Sequence, residues 1–543
     1  MIFSKKTYPV SKYFHTIKYL KWKQIFFRIY YFVERKWNTI TGKKYRKISS
    51  LVVAKKPIHF TKYSTSSDSA DLDQFEFKLI NKLHKFETIN WNFSGNERLW
   101  IYHLNYFDWI FNTSSSTELI INVINQYHDQ IQLNSVGHEP YPLSRRIMSL
   151  IQWLAHNKLT RDEIDLHLFT QTKWLAKHTE KHLLGNHILE NGFALLYASI
   201  YFQNDKFYKQ ANDLLTVQLG EQILDDGAHF ELSPMYHIHV LERVLDSIQL
   251  LRNNSTFEKQ ETLRFQLEQI AANMLSWLNK MQFRSGSIPQ VNDCVGIKEY
   301  KLKEIFSYTK LLSLETRNNA LHNSGYRMFR KNKYELMVDV GPIGPKYIPG
   351  HAHADSLQFL LEIAGRTVVT DTGVHNYNES QSRSYERSTM AHNTISIENT
   401  SSSDLWASFR VGNRAHTEIL EESDEHICAR HQGYRSRYGV FHAREIHCQS
   451  DGISIRDQLI GRKNKLAQAN FHFDRILDMS EIQGHGIFTR EFSFQFENAI
   501  LVNHEYSLKG VDFNRTRKIS KVVVDFRNYL ETTIIVHPSS KKD

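Results

Sequence analysis

The chain has 543 residues and a mass of 64.0 kDa, room for about three to five ordinary domains or fewer large ones. Its 41% hydrophobic and 23% charged residues exclude disorder and collagen-like repeats, and no apolar stretch approaches the ~18 residues of a membrane span. The formal charge of +10 is local: residues 1–56 hold 15 Lys or Arg and one acid, Glu34, against 53 bases and 57 acids elsewhere, which argues against a nucleic-acid-binding surface on the main body.

The basic arm, residues 1–69 with its linker, interleaves those cations with Phe3, Phe14, Trp22, Phe26, Phe27, Tyr30 and Trp37. Lys18, Lys21, Lys23 and Arg28 interrupt every apolar run, so a signal peptide is not expected. A basic amphipathic segment of this kind lies on anionic membrane surfaces; the competing expectation is a helix packed on the body. The polar stretch from Lys55 to Ser69 reads as a linker. Cys294, Cys428 and Cys448 are the only cysteines. They lack zinc-ribbon spacing and read as free buried thiols in a reducing compartment.

From Asp71 to Leu314 apolar residues recur at three- and four-residue spacing, as in Ile147, Leu150, Ile151 and Leu154. That period predicts stacked helix pairs. After Asn323 the texture changes to short β-branched and aromatic runs such as YELMVDVGP, GISIRDQLIG and KVVVDFRNYLETTIIVHP. These predict antiparallel strands. Helices followed by strands indicate a helical domain, 70–320, and a β-sandwich domain, 321–543, rather than interleaved α/β.

Three runs carry candidate chemistry. In GHAHAD, a strand would put His351, His353 and Asp355 on one face, and two imidazoles with a carboxylate need partners or a metal. Asp371 and His392 downstream complete a His353–Asp371–His392 zinc set; a hydrogen-bonded polar cluster is the alternative. In SPMYH, Ser233 suits an N-cap and Pro234 the first helical position. Tyr236 is then in the first turn, where the positive helix end is expected to depress its pKa; a helix-packing tyrosine is the alternative. In GNHILEN, Asn186, Glu190 and Asn191 would share roughly one helix face and line a cleft, unless Asn186 only caps. Arg145 and Arg146, and farther on Arg383, Arg387 and Arg410, supply guanidinium groups suited to carboxylates or sulfates.

The runs LWIYHLNYFDW, HEPYPLSRRI, GNHILENGFAL, DGAHFELSPMYH, GSIPQVND, GHAHADSLQFLLEIAGRTVVTDTG, YERSTMAHNT and LWASFRVGNRA occur in this order between Trp100 and Ala415. In this combination the sequence resembles the heparinase II/III-like polysaccharide lyases. The resemblance implies an incomplete (α/α) toroid followed by an antiparallel β-sandwich, an interdomain cleft for an acidic, uronate-containing polysaccharide, and β-elimination. It implies Tyr236 and His351 as the acid and base, and Asn186, ahead of His187, as the group that neutralises the uronate. Their residue types put Arg145, Arg146, Glu190, Asn191 and Arg387 on the substrate, and the resemblance implies one zinc, mainly structural, on His353, Asp371 and His392. The rivals are a uronyl C5-epimerase and a non-catalytic binding subunit; with no distinct carboxylate pair, glycoside hydrolysis is least favoured. Without a recognised export signal, the expected setting is the cytoplasmic membrane face, among the enzymes that build a capsule or exopolysaccharide.

Overall fold

The computed structural model describes residues 8–41, 58–60, 66–130, 135–160, 162–461 and 464–537. Within the arm and linker, residues 1–7, 42–57 and 61–65 lie outside them. Two helices form the arm, α1 (Val10–Ile17) and α2 (Trp22–Thr41). A meander of three strands follows: β1 (Ser69–Asp71), β2 (Glu76–Leu79) and β3 (Lys82–Lys85). This corrects the expectation of helix from residue 71. The hairpin turn is Ile80–Asn81, both at positive φ (42° and 64°), and asparagine tolerates that region without glycine.

The helical layer comprises α3 (Arg98–Tyr106), α4 (Thr117–Gln130), α5 (Pro140–His156), α6 (Asp162–Lys177), α7 (Gly185–Phe202), α8 (Asp205–Gln222), α9 (Pro234–Asn253), α10 (Gln260–Met281) and α11 (Glu299–Leu311). Beyond its polar first two turns helix α7 is apolar on every side, and it is buried nearly throughout, the signature of a helix surrounded by others. It packs between α5 and α8, and α9 pairs with α10. One core runs from Phe77 and Trp100 through Ile147, Phe193 and Leu241 to Leu275.

The second half is one large antiparallel sheet. Its strands are β4 (Tyr326–Arg330), β5 (Tyr334–Asp339), β6 (Phe359–Ile363), β7 (Arg366–Val369), β8 (Ile395–Ile397), β11 (Thr417–Glu422), β12 (His426–His431), β13 (Val440–Cys448), β14 (Gly452–Gly461), β15 (Leu466–Phe473), β16 (Ile482–Gln483), β17 (Gly486–Phe488), β18 (Phe492–Asp512) and β19 (Arg515–Val536). The main path is β11-β12-β13-β14-β19-β15-β7-β6-β5-β4. The sheet curls until its two ends face each other, so that Leu336 and Val338 of β5 share a core with Ile427, Ile446 and Ile455 of β12 to β14. Tyr334 Oη donates across that gap to the carbonyls of Gln449 (2.7 Å) and Gly452 (3.1 Å). The short pair β9 (Leu405–Trp406) and β10 (Arg410–Val411) stands apart.

Helix layer and sheet meet where Leu232, Trp277 and Met281 pack on Tyr326, Met337 and Leu360. Residues 351–358 form a loop rather than the strand expected from the alternating HAHAD pattern. Its backbone is pinned by other loops: His353 N donates to Asn292 Oδ1 (2.9 Å) and Ala354 N to the Arg387 carbonyl (2.9 Å). These bonds replace a strand ladder.

The arm packs with one face and exposes the other. Gln24 donates to the Leu183 carbonyl (3.0 Å) and Tyr31 to that of Thr179 (2.8 Å). Tyr8 and Tyr13 pack on Trp406 of β9. On the opposite side of α2, Trp22, Phe26, Ile29, Val33, Trp37 and Ile40 are all more than half exposed, at the three- and four-residue spacing of a single helix stripe. No helix among the described residues is long and apolar enough to cross a membrane.

Candidate active site

The site is assembled from helix starts and loops whose backbones are strained. Leu184, Leu232 and Asn292 have φ of 65°, 57° and 56°, immediately before Gly185, Ser233 and Asp293. Left-handed φ at such residues costs roughly 1–3 kcal/mol each and persists only where the surroundings enforce it. They do: Asn292 Nδ2 and Tyr326 Oη both donate to the Leu232 carbonyl (3.0 and 2.6 Å).

Ser233 caps α9 as expected, accepting from Tyr236 N, with Pro234 at the first helical position. Its own hydroxyl donates to the Asp293 carbonyl (2.7 Å). Tyr236 thereby stacks on His351, ring centroids 3.8 Å apart, and its Oη lies 3.1 Å from that of Tyr377. The expectation of a depressed tyrosine is overturned. Burial raises the Tyr236 pKa well above the usual phenol value, and Tyr377 and Asp293 push the same way. Desolvation outweighs the roughly 0.3–1 kcal/mol of a helix end, so the phenol stays protonated at neutral pH.

Asp293 is the hub. Its Oδ2 bonds His351 Nδ1 (2.8 Å) and its Oδ1 bonds His353 Nε2 (2.9 Å). Arg383 donates to both carboxylate oxygens, with Nη2 at 2.7 Å from Oδ2. Burial disfavours the charge, but Arg383 and the two imidazoles outweigh it and hold Asp293 well below the usual carboxylate range. A carboxylate on Nδ1 leaves His351 Nε2 as the free ring nitrogen. That atom faces Glu231 Oε2 at 3.8 Å, too long for a hydrogen bond. Glu231 Oε1 in turn accepts from Asn186 N (3.2 Å), at the start of α7. A side chain at Gly185 (φ 61°) would bring a Cβ to 2.6 Å from that oxygen, so glycine is required there.

Asn186 is 9% exposed, and its side-chain amide makes no hydrogen bond among the described residues. His187 bonds Glu180 through Nδ1 (2.9 Å); burial would lower its pKa, but the Glu180 charge outweighs this and raises it. Arg145 pairs with Asp108 and with Glu190 (3.3 Å), beneath Tyr106. Glu190 also accepts from Arg243 (2.9 Å), so its carboxylate is occupied.

Three expected substrate contacts lie inside the protein instead. Arg146, with no exposed surface, donates to Gln171 (2.9 Å), the Asn105 carbonyl (3.1 Å) and the Gly137 carbonyl (2.7 Å). Asn191, five residues from Asn186 and so off its stripe, binds Ser144 and Glu180. Arg387 donates to the carbonyls of Ala352 and Ala407, and burial pushes its pKa down to about 9. In this conformation none of the three reaches a polymer, because helix neighbours and loop carbonyls consume their donors. Arg410 stacks on Trp406.

His353, Asp371 and His392 are all fully buried. His392 Nδ1 bonds Asp371 Oδ2 (2.8 Å), and the two imidazole rings lie 5.2 Å apart. The set is not drawn in to ligand spacing: among the described residues the donors within 4.8 Å of one another are His426, Glu445 and His447. Yet His353 Nδ1 and His392 Nε2 are buried with no hydrogen-bond partner. Two orphaned imidazole nitrogens beside a carboxylate fit a divalent ion of the zinc type.

Sequence reasoning passed over Asp293, Tyr377 and Glu231. Asp293 stood within the run GSIPQVND, but an isolated Asp carries no spacing signal. Its role arises from bringing residue 293 against 351, 353 and 383.

Comparison with known proteins agrees with this architecture. The model of the heparinase II/III N-terminus matches residues 69–321 and that of the heparinase II/III-like C-terminal region residues 314–537. A heparin-sulfate lyase from Pedobacter heparinus is 23% identical over 259 residues, covering 42% of this chain and 38% of that enzyme. One from Bacteroides stercoris is 24% identical over 247 residues, covering 40% and 36%. The chain thus matches less than two fifths of the length of these relatives. A crystal structure of heparinase III superimposes with a TM-score of 0.68 at 17% identity, covering 92% of this chain and 89% of that one. A heparan sulfate lyase from Pedobacter heparinus gives 0.60 at 17%, covering 86% and 82%. With both family models matched end to end over a helical layer and a curled antiparallel sheet, this chain belongs to the heparinase II/III family.

Proposed function

We propose that this protein is a polysaccharide lyase that cleaves a uronate-containing acidic polysaccharide by β-elimination. The observation that carries the reading is the stacking of a protonated phenol, Tyr236, on an imidazole, His351, whose Nδ1 is fixed by Asp293. His351 Nε2 takes the C5 proton, electrons move into a new C4–C5 double bond, the C4–O4 bond breaks, and Tyr236 donates its proton to O4. The unspent amide of Asn186, helped by His187, stabilises the charge that develops on the carboxylate. Arg145 flanks them. That heparin-sulfate lyases are among the relatives supports an acidic polymer as substrate. A panel of uronate-containing polymers, read by ultraviolet absorbance of unsaturated products, tests this. Solvent deuterium at C5 without chain cleavage would instead establish the epimerase, and neither outcome with any polymer that binds would leave a binding subunit.

We further propose that His353, Asp371 and His392 hold one zinc-like ion, which would tie the loops carrying His351 and Asp371. The orphaned nitrogens support it. Elemental analysis should give one such ion lost in His353→Ala, with lower thermal stability, since an ion bound only by the native state stabilises it. An unaltered melting curve after chelation of the wild type would reject the site.

The arm supports a peripheral position on an anionic cytoplasmic membrane face, in surface-polysaccharide assembly. Each basic residue near such a surface contributes about 1 kcal/mol, screened by salt; a fully buried large apolar side chain contributes about 1.5–3 kcal/mol. The Trp22–Ile40 stripe should therefore keep the protein on anionic vesicles at high salt. Because α1 also braces Trp406, deleting the arm is a poor test. Phe26→Glu with Val33→Glu should sharply weaken co-sedimentation at high salt while leaving the melting curve unchanged, and undiminished binding there would exclude the stripe.

A further inference from the structure

We propose that His426, Glu445 and His447 form a separate binding site for a borderline divalent transition-metal ion, zinc being the reference, on the outer face of the curled sheet. Strands β12 and β13 pair so that His426 lies directly opposite His447 and Cys428 opposite Glu445. Residues two apart on a strand share a face, so all four side chains stand on one patch of two adjacent strands. That face is the one turned from the sheet core, since Ile427, Ala429 and Ile446 point the other way into it.

The geometry is that of ligands converging on a point. The two imidazoles stack with centroids 4.2 Å apart. Both present Nε2 to the same Glu445 oxygen, each at 3.1 Å, and the three donor atoms all lie within 4.8 Å of one another. Around a tetrahedral ion with bonds of about 2.0–2.1 Å, neighbouring ligand atoms sit about 3.3 Å apart. An ion could therefore enter by a small outward movement of the rings, with no change of backbone. Two imidazoles and one carboxylate are a donor set that suits zinc and its neighbours rather than calcium or magnesium. Access is open: the His447 side chain is half exposed. Although burial disfavours its charge, hydrogen bonds from His447 and His426 hold Glu445 below its usual value, so it is an anionic ligand at neutral pH. The Cys428 thiol borders the set and is free. The site shares no residue with the cluster around Asp293.

The test is zinc stoichiometry on the full-length protein, stripped by chelation and then equilibrated by dialysis against Zn²⁺ alone. His447→Ala should bind one equivalent fewer than the wild type. Its affinity for that equivalent should fall by at least the roughly 10–100-fold that loss of even an outer partner costs a metal site. Glu445→Gln, which keeps the shape and removes the charge, should weaken the same equivalent. His353→Ala should retain it, so this site and the buried one proposed above fail independently. If His447→Ala and Glu445→Gln both bind as much zinc as the wild type with unchanged affinity, the three residues are only a hydrogen-bonded cluster and the proposal is wrong.

Discussion

Tyr236→Phe is expected to lower turnover by about 10²–10⁴-fold, the usual contribution of a positioned acid or base, while leaving the protein folded. The substitution keeps the ring that stacks on His351 and removes one hydroxyl, which is hydrogen-bonded to Tyr377 at 3.1 Å. A neutral hydrogen bond of that kind is worth about 0.5–1.5 kcal/mol, too little to unfold a chain of this size. The loss should fall on kcat more than on KM, because the phenol's proton is needed only as the C4–O4 bond breaks. The measurement is steady-state cleavage of a polymer that the wild type degrades, beside thermal denaturation of both proteins. Turnover near the wild-type value would remove Tyr236 from the reaction.

Asp293→Ala is expected to damage stability and activity together, and stability more severely than Tyr236→Phe does. Arg383 is 1% exposed, and Asp293 is its acidic partner. Removing one member of such a buried pair costs about 3–5 kcal/mol, because the charge left behind has neither water nor counterion. The same carboxylate anchors the rings of His351 and His353, so the acid–base pair and the buried histidine cluster both lose their reference point. Denaturant unfolding should show the shift, and Asp293→Ala combined with Arg383→Met should recover part of the stability but none of the activity. An unchanged unfolding midpoint for Asp293→Ala would contradict the hub role.

The contrast between these two residues shows how far the sequence reaches. Tyr236 was legible because its position is local: Ser233 and Pro234 fix a helix start, and the tyrosine follows within one turn. The division into helices and then strands was legible for the same reason, since each period of apolar residues is written in neighbours along the chain. The meander at residues 69–85 escaped because its strands are short and its turn is Ile80–Asn81 rather than a glycine pair. HAHAD alternates like a strand, yet tertiary bonds to Asn292 and Arg387 hold it as a loop.

By itself the sequence determined the helix-then-sheet order, the capped start of α9 and the basic aromatic arm, and it offered Tyr236, His351 and Asn186 as candidates for the site. Only the tertiary structure decided how such residues are paired, buried and ionised. It made Asp293 the partner of residues 58, 60 and 90 positions away, turned Arg146, Asn191 and Arg387 inward, raised rather than lowered the Tyr236 pKa, and gave α2 one packed and one exposed face. The physical reason is common to all four. Burial and long-range charge set the ionisation and availability of a side chain, and neither is a property of its neighbours in the chain.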